Sequence, residues 1–237
     1  MRELTCTLKF LNMSGDSKNT NPASLTGDAV DDEFSHALYQ MDSKVVRINA
    51  SSCHMILGYV YEDWQIVKSH LPIIEAYKKD VEGYFITGFL LTWCAACHYD
   101  IYFSDKKIRH KRDGRRSHRR VKKWATTGTT MLVGPSTFLE AMEGLCVKQA
   151  PVDQVEIMFE KAASECAAGR CRFFEALSNE RLARLSRREE PNTIKHSKYL
   201  KRAAELYRSW GAVAKAEWLE NHESTCEQGV VIMSPRR

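Results

Sequence analysis

Residues 199–220 read YLKRAAELYRSWGAVAKAEWLE and carry the clearest structural signal in the chain. The apolar side chains of the first half recur at the spacing of one helical face, at Tyr199, Ala203, Leu206, Tyr207 and Trp210. Gly211 then ends that helix, because glycine tolerates the left-handed conformation that commonly follows a helix. A second periodic run, which includes Lys215, begins at once with Ala212, so the stretch predicts two helices joined by a tight turn.

A similar helix occurs upstream of this pair. The segment FEKAASECAAG (159–169) aligns with YLKRAAELYRSWG (199–211), and Ala162 then corresponds to Ala203. The offset of about 41 residues lies within the range of helix-pair repeats. Because one such pair cannot bury its apolar stripe alone, it stacks on its neighbours. The sequence therefore predicts an all-α fold of antiparallel helix pairs stacked as an α-solenoid.

The remaining sequence divides around this array. Residues 1–30 are rich in Ser, Asn, Gly and Thr and bury too little apolar surface to fold, which predicts a flexible leader. The helical array is expected over residues 31–222, starting with a short helix from Asp31. Residues 223–237 are expected to form a loose C-terminal tail.

The first part of the array also has helical periodicity. Four helices are expected there, at residues 44–60, 62–79, 83–103 and 115–126. Pro72 should kink the second of these helices or mark a late start. Thr137 and Glu140 have capping-box spacing and predict the start of the next helix. Pro151 then lies near the first turn of the partner helix.

Charge and cysteine content indicate the kind of protein. The formal net charge is +5, but residues 106–123 hold eleven Lys and Arg against the single Asp113. The rest of the chain is therefore net acidic. The eight cysteines are scattered, and the N-terminal MRELTCTLKFLN lacks the features of a secretory signal. We expect reduced thiols and a cytoplasmic location.

Two sequence patterns resemble a known family. EAL-x-NE stands at residues 175–180, and YL-x-x-A-x-x-LY-x-x-WGA-x-AK stands at 199–215. Both are similar to the tetratricopeptide-like helical region on the C-terminal side of very large multidomain signalling ATPases. Those proteins join a STAND-type or AAA-like ATPase and a helical array to kinase, histidine kinase or nucleotide cyclase modules. The resemblance covers residues 31–222, with one departure at Ala216, where the family usually has a larger aliphatic residue.

The resemblance implies a TPR-like α-solenoid that acts as a non-catalytic scaffold for protein–protein or interdomain interaction. The chain would then be a fragment or orphan relative of such a signalling ATPase. It contains no GxxxxGK[ST] loop, no DFG or HRD pattern and no cyclase-like motif, so the activities of those domains do not carry over. We expect no catalytic residue, cofactor or metal, no small-molecule substrate, and a partner protein or neighbouring signalling domain.

Cys94, Cys97 and His98 form the C-x-x-C-H pattern used for covalent attachment of c-type haem. The two thiols would bind the haem vinyl groups, and the histidine would be the proximal ligand. The motif lies within an apolar helical run, where cysteine is a common small core residue. Core packing is the preferred interpretation, and haem, zinc or redox use is the alternative.

Residues 84–103, YFITGFLLTWCAACHYDIYF, approach the length of a membrane span. The basic run that follows would supply a positive-inside anchor. His98 and Asp100 interrupt the segment near its end, and burial within a helical array explains the same apolarity. A membrane-anchored protein is therefore the alternative to the scaffold.

The basic run at 106–123 could be a nuclear localisation signal or a phosphate-contacting patch. It contains no interleaved aromatic side chain for stacking on bases. We expect a solvated hairpin followed by the outer face of a helix that carries Trp124, and nucleic acid is not the expected partner. His110, His118 and His196 lie in polar sequence surroundings and are expected to face solvent.

Overall fold

The computed structural model describes residues 37, 40, 42–81, 86–189 and 194–227. Within these ranges the chain forms nine α-helices and no strand. They are α1 (Lys44–Val60), α2 (Trp64–Tyr77), α3 (Thr87–Asp105), α4 (Ile108–Thr126), α5 (Val133–Glu143), α6 (Val152–Ala168), α7 (Arg172–Glu189), α8 (Ile194–Ser209) and α9 (Val213–Glu227). Consecutive helices such as α1 and α2, or α7 and α8, pack against each other. The predicted all-α class is confirmed.

The chain divides into two compact units. The first contains the described residues up to Leu90 together with Gly211–Lys215. The second contains Leu91–Trp210 and the described residues from Ala216 onward.

The first unit is built on the hairpin of α1 and α2. Ser43 accepts a hydrogen bond from Val46 N–H (3.5 Å), and Asp63 accepts bonds from the N–H groups of Gln65 and Ile66, so both helices begin at a capping side chain. The buried apolar side chains of the pair include Ile48, Met55, Leu57, Val67, Leu71 and Ile74. The first predicted helix pair is confirmed.

Two details of this hairpin differ from the prediction. Helix α2 begins at Trp64 and runs through Pro72, so the proline does not mark a late start. The helical periodicity of residues 44–60 also predicts Val45 and Ile56 on the inward face of α1, but both are only partly buried, whereas Met55 is fully buried. The helical periodicity of the sequence alone therefore did not show which residues lie at the centre of the buried face of α1.

The core of the second unit includes most of α3. Residues 91–99 are all buried, which confirms that this helix is surrounded on most sides. The ring of Trp93 lies 5.1 Å from that of Phe173 and 5.0 Å from that of Phe174. Phe138 of α5 lies 5.6 Å from Phe174, so the aromatic contacts join α3, α5 and α7.

Helix α5 starts five residues earlier than predicted, since Thr137 as the N-cap would place its first residue at Phe138. It begins at Val133, directly after a short 3-10 turn, and includes Gly134 and Pro135. Proline is compatible with the first turn because its missing N–H would have no intrahelical partner there. Thr137 therefore does not cap the helix; its hydroxyl donates to Val133 O (3.3 Å) and to the Glu165 carboxylate.

The breaks between the later helices fall where the sequence predicts them. Pro151 caps the start of α6, and Gly169 caps its end. Gly211 separates α8 from α9 with φ 87°, in the region that favours glycine. Trp210, expected on the buried stripe, retains 36% of its surface exposed.

The outer segments fall partly outside the described residues. The predicted leader at 1–30 and most of the short helix expected from Asp31 lie outside them. In the predicted tail at 223–237, the chain stays helical to Glu227, and residues 228–237 lie outside the described part.

Candidate functional site

Helix α4 carries most of the basic run and starts earlier than the sequence suggested. It begins at Ile108 rather than at residue 115, so the expected hairpin is helical over most of its length. The preceding turn is tight, because Lys106 adopts φ 57° and the Asp105 carboxylate accepts a hydrogen bond from Lys107 N–H (2.9 Å). Glycine inside a helix lowers the stability of that helix by about 1 kcal/mol relative to alanine. At Gly114 this loss is outweighed by contacts between helices.

One face of α4 packs into the second unit. Its buried residues are Asp113, Gly114, Ser117, His118 and Val121. A Cβ atom on Gly114 would lie 2.9 Å from Cε1 of Tyr99 and 3.2 Å from Cβ of His98. The absence of a side chain at Gly114 therefore lets α4 approach α3 closely.

The opposite face of α4 carries an exposed row of cations, which we call the basic stripe. Its members are Arg109, Arg112, Arg116, Arg119 and Lys123. Steps of three and four residues keep them on one side of the helix. At 1.5 Å per residue the stripe is about 21 Å long.

Little acidic charge neutralises the basic stripe. The one acid within α4 is Asp113, which is buried and whose carboxylate oxygens lie 3.6 Å from Nε of Arg109 and of Arg112. The side chains of the other three cations of the stripe form no ion pair or hydrogen bond with the residues that the structure describes. The stripe therefore presents concentrated, accessible positive charge.

A buried polar cluster fixes the position of α4 beneath the stripe. Glu143, the last residue of α5, accepts hydrogen bonds from Arg115 Nε (2.8 Å) and the Tyr99 hydroxyl (3.4 Å), and lies 3.2 Å from His118 Nδ1. The Tyr99 hydroxyl also lies 3.0 Å from His118 Nδ1. The bonds from His118 and then Arg115 hold the pKa of Glu143 at about 2.

Glu143 was missed from the sequence. It follows His118 by 25 residues and Arg115 by 28, and no local spacing rule connects positions so far apart. The structure shows three side chains of α3 and α4 meeting at this one carboxylate. Through these contacts the cluster fixes the direction in which the basic stripe faces.

Of the three histidines expected to face solvent, His118 and His196 are buried and His110 is partly exposed. His118 and His196 each retain only 5% of their surface, and the Nδ1–H of His196 donates to Ala183 O (2.8 Å). The side chain of His110 is 21% exposed, and its Nδ1 lies 2.9 Å from Nδ1 of His98. The polar neighbours in sequence lie on other faces of these helices, so sequence surroundings were a poor guide to burial.

The residues of the C-x-x-C-H motif lie in the core of the second unit. Cys94 and Cys97 are completely buried, and neither forms a disulfide with another described residue, in agreement with the preferred interpretation of core packing. Burial raises the pKa of the Cys97 thiol. Among the residues that the structure describes, no group of three or more His, Cys, Asp or Glu side chains is arranged to hold a metal ion.

The membrane span considered at 84–103 corresponds to α3, with residues 84 and 85 outside the described ranges. In the described part of the chain, no helix has both the length and the apolarity needed to cross a bilayer. Asp100 of α3 is instead paired with Arg181 of α7 through two hydrogen bonds of 3.3 and 2.7 Å.

In comparisons with known proteins, no family model, no curated protein and no solved structure matches this chain. The resemblance to the helical region of signalling ATPases therefore stays a prediction from sequence. The function of the basic stripe has to be argued from its own geometry.

Proposed function

We propose that this chain is a non-catalytic helical-repeat scaffold that binds an acidic segment of a partner protein along the basic stripe of α4. One observation carries the proposal: five cations line an exposed helical face about 21 Å long, opposite the packed face, with no acid among them. A helix with only a structural role would not need cations alone along one face, because like charges three and four residues apart repel each other.

The chemistry of the stripe suits carboxylates. Four of its five members are arginines, whose planar guanidinium groups bind carboxylate oxygens in a bidentate manner. Each exposed ion pair contributes only about 0.2–1 kcal/mol, so useful affinity requires several pairs at once. A row of cations along one helix provides them to an acidic helix or extended segment.

We propose a protein partner, and not nucleic acid, because of the kinds of side chain that lie on and near the stripe. Binding of single-stranded nucleic acid usually combines a basic groove with aromatic side chains on which bases stack. The stripe consists of cations alone, and the nearby Trp124 ring is covered by the guanidinium of Arg120 at 5.4 Å. An acidic polypeptide needs no stacking platform.

The scaffold character is the second part of the proposal. Two observations support a TPR-like solenoid. Consecutive helices of the described residues pack in pairs, and the two similar segments at 159–169 and 199–211 are offset by about 41 residues, about the length of one helix-pair repeat. The patterns at 175–180 and 199–215 support descent from the helical region of a signalling ATPase. A cytoplasmic location belongs to the same proposal.

A binding experiment on the full chain tests the stripe. Fluorescence anisotropy would follow a fluorescein-labelled, glutamate-rich peptide binding to the wild type and to the triple variant R116Q/R119Q/K123Q. We expect the triple variant to bind roughly tenfold more weakly, as the loss of three exposed pairs implies. Added salt should weaken wild-type binding because the pairs are solvent-exposed.

The matched control removes the same charge elsewhere. Lys148, Lys198 and Lys201 are exposed and lie outside α4, so K148Q/K198Q/K201Q should bind the peptide like the wild type. Equal weakening in both variants would show that net charge alone is responsible and would overturn the proposal. Tighter binding of an oligonucleotide of matched charge, with a steep salt dependence, would replace the partner class by nucleic acid.

A further inference from the structure

Two cysteines flank the turn between α6 and α7. Cys166 lies in the last turn of α6, and Cys171 immediately precedes α7. The N–H of Cys171 donates to the carbonyl oxygen of Cys166 at 2.8 Å, so the two backbones are held side by side. The chain reverses between them through Gly169 and Arg170, the latter with φ 55°. The two positions differ in access, since Cys166 is completely buried and Cys171 is partly exposed.

Cys171 occupies the N-cap position of α7. Its carbonyl accepts the first helical hydrogen bond, from Glu175 N–H at 3.1 Å, and the backbone N–H of Phe174 lowers the pKa of its thiol. Unpaired N–H groups at a helix start favour negative charge at this position. The exposed residues Arg170 and Arg172 lie on either side in sequence and add positive charge. These are the conditions under which a cysteine becomes a nucleophilic thiolate.

The thiol of Cys166 supports the same state. It interacts with the thiol of Cys171, and this interaction lowers the pKa of Cys171 and raises that of Cys166. The carboxylate of Glu175 is already paired with Arg172 at 3.1 Å and Arg202 at 2.9 Å. Of the two thiols, that of Cys171 therefore ionises more readily, and it is also the more accessible one.

We infer that Cys171 and Cys166 form a modification site for hydroperoxides, with Cys171 as the nucleophile and Cys166 as the resolving thiol. The Cys171 sulfur attacks a peroxide oxygen: an S–O bond forms, the O–O bond breaks, and the departing oxygen takes a proton and leaves as water or an alcohol. Cys171 is then a sulfenic acid. This inference is independent of the binding role of α4.

The second step closes a disulfide. The Cys166 sulfur attacks the sulfenic sulfur of Cys171, an S–S bond forms, and the S–O bond breaks. The hydroxyl group leaves with the proton of Cys166 as water. In total, two thiols and one hydroperoxide give one disulfide, one alcohol or water, and one water, and the two electrons lost by the thiols reduce the peroxide. A thiol reductant reverses the reaction by exchange.

Cys94 and Cys97 provide an internal comparison. This pair has the sequence pattern usually associated with redox chemistry, but both residues are completely buried within α3. Burial raises the pKa of Cys97, which disfavours its thiolate. The structure therefore assigns peroxide reactivity to the C-x-x-x-x-C pair and not to the C-x-x-C pair.

The test treats the reduced full chain with a small excess of hydrogen peroxide, blocks the remaining thiols with iodoacetamide, and maps tryptic peptides by mass spectrometry. Trypsin cuts after Arg170, so the disulfide would join residues 162–170 to residues 171–172. We expect this linked pair to form, to disappear with dithiothreitol, and to accumulate at least tenfold faster than any oxidation at Cys94 or Cys97.

Two variants assign the roles. Cys166→Ala should leave a sulfenic acid on Cys171 that dimedone traps, and Cys171→Ser, which keeps an N-capping side chain, should leave Cys166 reduced. A reduced Cys171 under conditions that oxidise other cysteines, or equal rates at Cys94 and Cys97, would overturn the inference. Because the wild-type peptide map decides between these outcomes, a variant that failed to fold would not obscure the result.

Discussion

At the scale of single residues, the carboxylate of Glu143 is the shared partner of several polar side chains in the second unit. Its side chain is 15% exposed and interacts with Arg115, His118 and Tyr99. Burial would raise the pKa of a lone carboxyl, yet its partners hold the pKa of Glu143 at about 2. The ionised carboxylate is therefore more stable in the folded protein than in the unfolded chain.

This shift makes a prediction about acid stability. The folded pKa of about 2 lies below the ordinary value of 4.5, so the contribution of Glu143 is complete above pH 4.5 and is lost as the pH falls towards 2. Glu143→Gln should lower the free energy of unfolding at pH 7 by on the order of 2 kcal/mol. It should also flatten the dependence of stability on pH below 4.5.

Urea unfolding at several pH values would measure both effects. Glu140→Gln is the control, because Glu140 lies on the same helix, is 32% exposed and, among the described residues, forms its ion pair with the exposed Lys122 alone. It should change stability by less than about 0.5 kcal/mol. Equal losses in the two variants, or an unchanged acid limb in Glu143→Gln, would contradict the assignment.

At the scale of helices, glycine sets how closely neighbouring elements approach. A Cβ atom at Gly134 of α5 would lie 2.5 Å from Sγ and 2.6 Å from the backbone N of Cys166 on α6. At Gly114 the nearest atoms belong instead to the side chain of Tyr99. The crossing of α5 and α6 therefore depends more strictly on glycine, because backbone atoms cannot move aside as a side chain can.

We predict that Gly134→Ala destabilises the protein by about 1–3 kcal/mol through overpacking, despite the helix propensity that alanine adds. The control is Gly144→Ala, where the nearest atom to the new Cβ would be Sδ of Met158 at 3.5 Å, an ordinary contact. That variant should be neutral or slightly stabilised. Thermal and urea unfolding would compare the two, and a Gly134→Ala protein as stable as the wild type would contradict the close approach of α5 and α6.

At the scale of the whole molecule, charge is segregated. The chain carries a net +5, while the eleven Lys and Arg of residues 106–123 lie mainly on α4. Cations three and four residues apart on that helix repel each other, and few acids compensate them. This distribution does not stabilise the isolated chain, and it is the basis of the binding role that we propose for α4.

A stability measurement shows whether the cations of the basic stripe stabilise the fold or are available for binding an anion. The variant R116Q/R119Q/K123Q should unfold at the same urea concentration as the wild type or at a higher one, because it removes repulsion and no ion pair with a described residue. The change should shrink in high salt, where surface charges are screened. A loss of more than about 1 kcal/mol would mean that these side chains stabilise the fold, contrary to our expectation for exposed unpaired charges.

Much of the fold followed from local pattern. Periodicity in residues 199–220 predicted α8 and the start of α9, and Gly211 separates them as expected. Pro151 and Gly169 bound α6. These features depend on contacts within one or two helical turns, which the order of residues specifies directly. The sequence did not predict the early start of α4. Glycine disfavours a helix, and Gly114 lies inside α4 because of its contact with a different helix, which local pattern does not show.

Which polar residues are buried, and against what, was decided only by the tertiary structure. Lys215 lies on the predicted stripe of α9, but only the fold shows it completely buried, with Nζ donating to Val60 O at 2.8 Å. Likewise, the contact of Cys171 with Cys166 depends on how the turn closes. Sequence spacing determines which side chains share a helical face, whereas a buried polar group needs a partner, and that partner is supplied by chain packing across distances that no local pattern encodes.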